Sequence, residues 1–123
     1  MVLVDTSVWV DHLQRGNAEL TALLNRGQVL AHPFVIGELA LGSLQQRNVV
    51  LQAMQNLPAC ATATDAEVFS FINTHALYGI GIGYVDAHFL AATRLTPTAK
   101  LWTLDKRLQA AATRLALGFI LSH

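Results

Sequence analysis

The chain has 123 residues, the size of one domain, and its eight acids balance its eight bases. That balance excludes a protein that coats nucleic acid through a global positive field. A single cysteine, Cys60, excludes a disulfide framework and a cysteine-based zinc site, and the histidines at 12, 32, 75, 88 and 123 lack short ligand spacing.

In chain order, Val2–Val4 is an apolar run with the character of a fully buried strand, closed by Asp5. Thr6 or Ser7 can cap the helix that follows, which carries Val8, Trp9 and Leu13 at helical spacing and stops near Arg15, before Gly16. Asn17 can cap a second helix over 18 to about 26, with Leu20, Leu23 and Leu24 inside and Gly27 at its end. Val29-Leu30-Ala31 is a second buried run, and Pro33 suits the first position of a helix bearing Val35, Ile36, Leu39 and Leu41, with Glu38 among them. A helix over 47–56 is stopped by Pro58, and 59–63 is the weakest strand candidate. Thr64-Asp65-Ala66-Glu67 fits a capping box ahead of a helix with Val68, Phe69, Ile72, Ala76 and Leu77. Gly79-Ile80-Gly81-Ile82-Gly83 is a connection between helices; it lacks the third glycine and the preceding strand of a dinucleotide fingerprint. A helix over 84–95 contains Asp86 and is ended by Pro97. The run 101–104 is a strand closed by Asp105, a helix covers 106 to about 115, and 118–121 forms a last strand.

Short apolar strands alternating with helices predict an α/β fold: one domain over 1–123, with a short central parallel sheet covered on both faces. The N-terminus has no basic start, and Asp5 and Asp11 interrupt its apolar run, so no signal peptide is expected. No uncharged run is long enough to span a membrane, and the expected location is cytoplasmic. Hydrophobic residues make up 53% of the chain and charged ones only 13%, about half the usual share. This predicts an apolar surface suited to a protein interface, or simply an Ala- and Leu-rich helical exterior.

Asp11, Glu19, Asp65 and Glu67 lie among polar residues or at helix starts, where solvent or a helix dipole accounts for them. The other four acids do not fit that account. Asp5 and Asp105 each end an apolar strand, and Glu38 and Asp86 have apolar neighbours on either side. An acid in such a setting is costly unless paired, hydrogen-bonded or bound to a cation. If the first strand lies beside the 101–104 strand where the strand order reverses, Asp5 and Asp105 face each other at the carboxyl edge. Glu38 and Asp86, a turn or so into helices starting at that edge, can complete a cluster. Four close carboxylates repel one another, and a divalent cation resolves the repulsion. All-oxygen ligation favours Mg²⁺ or Mn²⁺. Such a site suits phosphodiester hydrolysis. Thr6, Ser7 and Thr103 are placed to give hydroxyls to the cluster or to a phosphate; capping accounts equally well for Thr6 and Ser7, and a strand position for Thr103. Lys106 and Arg107 are placed to meet an RNA backbone, or are ordinary solvated charges.

Val4-Asp5-Thr6-Ser7, the lone Glu38 in an apolar helix, Tyr84-Val-Asp-Ala-His-Phe-Leu-Ala-Ala-Thr93 and Leu101-Trp-Thr-Leu-Asp-Lys-Arg-Leu108 together resemble PIN-domain ribonucleases across nearly the whole chain. The size, with no extra domain, resembles VapC-type toxins of bacterial toxin–antitoxin pairs. The resemblance implies a three-layer α/β/α sandwich with a short parallel sheet, Mg²⁺- or Mn²⁺-dependent endoribonuclease activity on RNA such as tRNA, a homodimer, and inhibition by a VapB-type antitoxin in a groove beside the acids. Asp5, Glu38, Asp86 and Asp105 match the family's acidic quartet, catalytic and metal-binding, and Thr6 matches the polar position after the first acid. The near-neutral charge and the short third strand candidate depart from the pattern.

Other readings fit less well. A phosphatase of the haloacid-dehalogenase type needs an acid where Ser7 stands, and Asp65 is a poor phospho-acceptor because capping accounts for it. A non-catalytic PIN-fold module that binds RNA or protein is the alternative from another class; it has no need of all four acids.

Overall fold

The computed structural model describes residues 1–121; His123 and the last two positions of the expected domain lie outside the described residues. Its elements run β1 (Val2–Val4), α1 (Thr6–Arg15), α2 (Ala18–Asn25), β2 (Val29–Leu30), α3 (Pro33–Ala40), α4 (Arg47–Gln55), α5 (Asp65–His75), α6 (Tyr84–Leu95), β3 (Lys100–Trp102) and α7 (Lys106–Arg114).

The three strands form a parallel sheet in the order β2-β1-β3. The chain leaves β1 toward β2, then returns past β1 to β3. Right-handed crossovers place α1 to α4, which lead from β1 to β2 and on to the parallel bridge at Ala59, on one face, and α5 and α6, which lead back to β3, on the other, giving the expected three layers. The expected strand at 59–63 is reduced to one bridge, Ala31 to Ala59, and that at 118–121 to one bridge, Leu101 to Gly118. In each case only one residue aligns before the backbone turns from the sheet edge. The 101–104 strand is shifted one residue earlier at its start and ends at Trp102, because Thr103 and Leu104 bend out to meet α1.

Continuous apolar runs make β1 and β2 because parallel strands are covered on both sides; Val2, Leu3 and Val4 are all buried. α6 is the central helix, buried from Ala87 to Thr93, and its small Ala91 and Ala92 allow close packing. Thr93 satisfies its buried hydroxyl by donating to the Phe89 carbonyl at 2.7 Å. Leu3, Val8, Leu20, Val35, Leu90 and Leu108 are fully buried in one core, each contributing roughly 1.5–3 kcal/mol by burial. The capping box at Thr64 and Glu67 forms as the sequence predicts, with bonds of 3.1 and 2.9 Å. The expected apolar surface is present: Leu41, Phe69, Tyr78 and Ile120 are largely exposed. No helix among the described residues is long and apolar enough to cross a membrane.

Candidate active site

The register of β1 against β3 pairs Val4 with Trp102, so Asp5 and Thr103 leave the sheet side by side at its carboxyl edge. This is where the strand order reverses, and a crevice opens there in such sheets. The Asp5 N–H donates to the Trp102 carbonyl at 2.9 Å, extending the ladder by one bond.

Asp5 is only 6% exposed. Its Oδ2 accepts from Ser7 Oγ at 2.6 Å and from Thr103 Oγ1 at 2.8 Å. Each hydroxyl has one hydrogen, spent on Asp5, so the 3.4 Å approach of Ser7 to Thr103 is a contact between two donors already engaged. Ser7 Oγ in turn accepts from the Leu104 N–H, and Thr103 Oγ1 from the Asp105 N–H, both at 3.0 Å. One carboxylate and two hydroxyls thus lock the start of α1 to the segment between β3 and α7.

The capping role expected for Thr6 or Ser7 is not what forms. Asp5 stands at the N-cap position of α1 but makes no side-chain cap bond. Thr6 donates its hydroxyl to Glu38 Oε1 at 2.7 Å, and Ser7 donates to Asp5, so both serve the acids. Thr103 likewise does more than fill a strand. Glu38 itself is exposed, contrary to the reading of a costly acid in an apolar setting; its apolar neighbours Val35 and Leu39 point to the core from another face of α3.

Asp86, partly buried in the first turn of α6, accepts from the Gly83 N–H at 3.0 Å through Oδ2. Burial raises its carboxyl above the ordinary range, the Gly83 bond offsets part of this, and the charges of Asp5, Asp105 and Glu38 raise it further. The other three predicted acids therefore act on Asp86 by their charge. Asp105 is exposed and caps α7, its Oδ1 accepting from the Leu108 N–H at 2.9 Å. Lys106 and Arg107 occupy the first turn of α7 beside it, both exposed.

No three acids, histidines or cysteines among the described residues are grouped closely enough to hold one metal ion. The donor set still fits a hard cation. Mg²⁺ keeps several waters and commonly takes only one or two carboxylates directly.

The acids set aside at the sequence level behave structurally. Asp11 pairs with Arg15, and Asp65 accepts from Tyr84 Oη at 2.6 Å and lies 3.2 Å from His88 Nε2. Two participants escaped the sequence reading: the Gly83 N–H that holds Asp86, and Gly81, against which Arg107 packs. The glycine-rich run marks a loop, but nothing in it names either partner.

A family model for the PIN domain matches residues 2–114. Ribonuclease VapC32 of Mycobacterium tuberculosis, in strains CDC 1551 / Oshkosh and ATCC 25618 / H37Rv, is 48% identical over 111 residues, covering 90% of either chain.

Proposed function

The chain belongs to the PIN-domain family, and on that premise we propose that it is a VapC-type toxin: a Mg²⁺- or Mn²⁺-dependent endoribonuclease neutralised by a VapB-type antitoxin. The observation that carries the proposal is the hydroxyl network at the carboxyl edge of the sheet: Ser7 and Thr103 donate to Asp5, Thr6 donates to Glu38, and the Asp105 N–H donates to Thr103, with Asp86 near enough for their charges to raise its carboxyl. Likeness to Ribonuclease VapC32 supports RNA as substrate and a toxin role.

In this reading Asp5, Glu38, Asp86 and Asp105 are the catalytic acids and would hold the cation. A cation there supplies charge neutralisation at the scissile phosphate and a more acidic water. The chain supplies orientation. Ser7 and Thr103 fix Asp5, Thr6 fixes Glu38, and the Gly83 N–H fixes Asp86. Lys106 and Arg107 meet the RNA backbone at the rim.

A groove of roughly 580 Å³ runs between α1 and the end of α3, lined by Val10, Leu13 and Leu39, with Glu38 among its walls. Its mixed lining, with Leu44 as a further apolar wall and Gln14, Ser43 and Gln45 as polar ones, supports capture of an amphipathic antitoxin segment whose cationic side chain would meet Glu38. The exposed Phe34, Phe69 and Tyr84 support apolar association into a homodimer. We assign one domain to the chain and a cytoplasmic location.

The test is the chemistry of the cut ends. Incubating purified protein with total cellular RNA and Mn²⁺ should give 5′-phosphate and 3′-hydroxyl ends, the products of attack by water with the 3′ oxygen leaving. Ends carrying a 2′,3′-cyclic phosphate would mean attack by the neighbouring 2′-hydroxyl and would overturn the mechanism. RNA bound but uncut would make the chain a binding module.

A further inference from the structure

Arg107 lies with the end of its side chain against Gly81. A Cβ placed on Gly81 would fall 2.8 Å from Arg107 Cδ, 2.8 Å from one terminal nitrogen and 3.2 Å from Cζ. The end of the arginine side chain therefore occupies space beside Gly81 that a Cβ would need. Gly81 also has φ +85°, a conformation that disfavours side chains in its own right.

Among the described residues the guanidinium donates to no acid or carbonyl. Five of the eight Lys and Arg side chains donate to an acid or a backbone carbonyl, and Arg26, Lys106 and Arg107 are the described cations that do not. The described ion pairs are Arg15 with Asp11 and His88 with Asp65, so Arg107 forms none, although it follows Asp105 by two positions. Nor does its charge serve α7: a cation in the first turn stands at the positive end of the helix dipole. A planar fork that rests against Gly81 and spends no donor on a described residue is suited to bidentate recognition of a phosphate.

The pinning couples Arg107 to the acids. Gly81 lies in the same short loop as Gly83, whose N–H is held by Asp86, and Arg107 lies on the helix that Asp105 caps. We propose that Arg107 binds a backbone phosphate of the RNA strand beside the scissile bond, and that Gly81 is the positioning residue that lays its guanidinium across the loop. The proposal rests on the ribonuclease reading above and adds to it a defined phosphate contact and the residue that aims it.

The test is binding of a fluorescein-labelled single-stranded RNA of about 20 nucleotides, followed by anisotropy over a range of salt. Asp5→Asn protein with Mg²⁺ is used, so that RNA is not consumed. Arg107→Ala should weaken binding about tenfold and reduce the slope of log K against log salt by about 0.7. Arg107→Lys should recover only part, because it keeps the charge and loses the fork. Gly81→Ala should weaken binding nearly as much, and Gly81→Ala with Arg107→Ala no more than Arg107→Ala alone. A circular dichroism melt verifies that each variant folds, and the exposed Arg107 variants test the contact even if Gly81→Ala does not. Unchanged affinity and salt slope in Arg107→Ala would overturn the proposal and leave the ribonuclease reading intact. Additive losses in the double variant would overturn the role of Gly81. No RNA binding by the parent protein would overturn both readings.

Discussion

Replacing Thr103 with Val keeps the shape of the side chain and removes the one hydroxyl shared by two acids. Thr103 is 5% exposed; its Oγ1 donates to Asp5 Oδ2 at 2.8 Å and accepts from the Asp105 N–H at 3.0 Å. A hydrogen bond to an ionised carboxylate contributes roughly 1.5–3 kcal/mol, and an N–H left without a partner costs about 1 kcal/mol more, so the expected loss is about 3 kcal/mol. With an unfolding entropy of about 2.1 cal/mol/K per residue, a chain of this length loses roughly 4 °C in Tm per kcal/mol. Thr103→Val should therefore melt about 12 °C below the parent, followed by circular dichroism with chelator present. Thr103→Ser keeps both hydrogen bonds and loses only a buried methyl, so it should fall by less than half as much. A loss under about 2 °C for Val, or an equal loss for Ser, would refute the claim that this hydroxyl holds Asp5 and Asp105 together.

Three further outcomes are expected. Mg²⁺ at 100 times its Kd should stabilise the protein by about 2.7 kcal/mol, a rise of roughly 10 °C that chelator reverses and Asp5→Asn removes; no rise would mean that the acids do not share a cation. The raised carboxyl of Asp86 makes the metal-free fold bind its proton more tightly than the unfolded chain does. Stability should then fall as pH climbs from the ordinary aspartate range toward that raised value, and Asp86→Asn should raise the metal-free Tm at pH 7; a lower Tm would contradict the repulsion. Burial, and secondarily His88, pushes His32 down to about 4, so stability is lost as pH falls from 6.5 toward 4. His32→Asn, which can still accept from the Phe34 N–H as the His32 ring does at 3.0 Å, should flatten that acid limb in a pH series of melts, and an unchanged limb would show that His32 does not titrate there.

The central signal was legible because a buried parallel strand reads as an unbroken apolar run, and an acid directly after it has no packing role. That logic holds for Asp5, which is buried and doubly hydrogen-bonded. It overreached for Glu38, since neighbours in sequence fall on different faces of a helix, and Val35, Ile36 and Leu39 pack toward the core while Glu38 does not. The hydroxyl roles of Thr6 and Ser7 could not be separated from capping, because local sequence does not reveal that Asp5 occupies the cap position and turns its side chain elsewhere. The edge strands at 59–63 and 118–121 were overextended because composition reports what a strand tolerates, not how many residues find a partner. Gly81 read correctly as a loop residue, but its contact with Arg107 exists only after α7 has packed against that loop.

Asp105 is exposed and spends one oxygen on capping α7, while Asp5 is buried at the centre of the hydroxyl network. The most direct test of the whole account is a cleavage time course on total cellular RNA with Mn²⁺, comparing the parent chain with Asp5→Asn and Asp105→Asn. The parent should cut only until chelator is added, Asp5→Asn should not cut, and Asp105→Asn should retain part of the rate. Cleavage that continues in chelator, or that survives in Asp5→Asn, would contradict the claim that these carboxylates form a divalent-metal nuclease site.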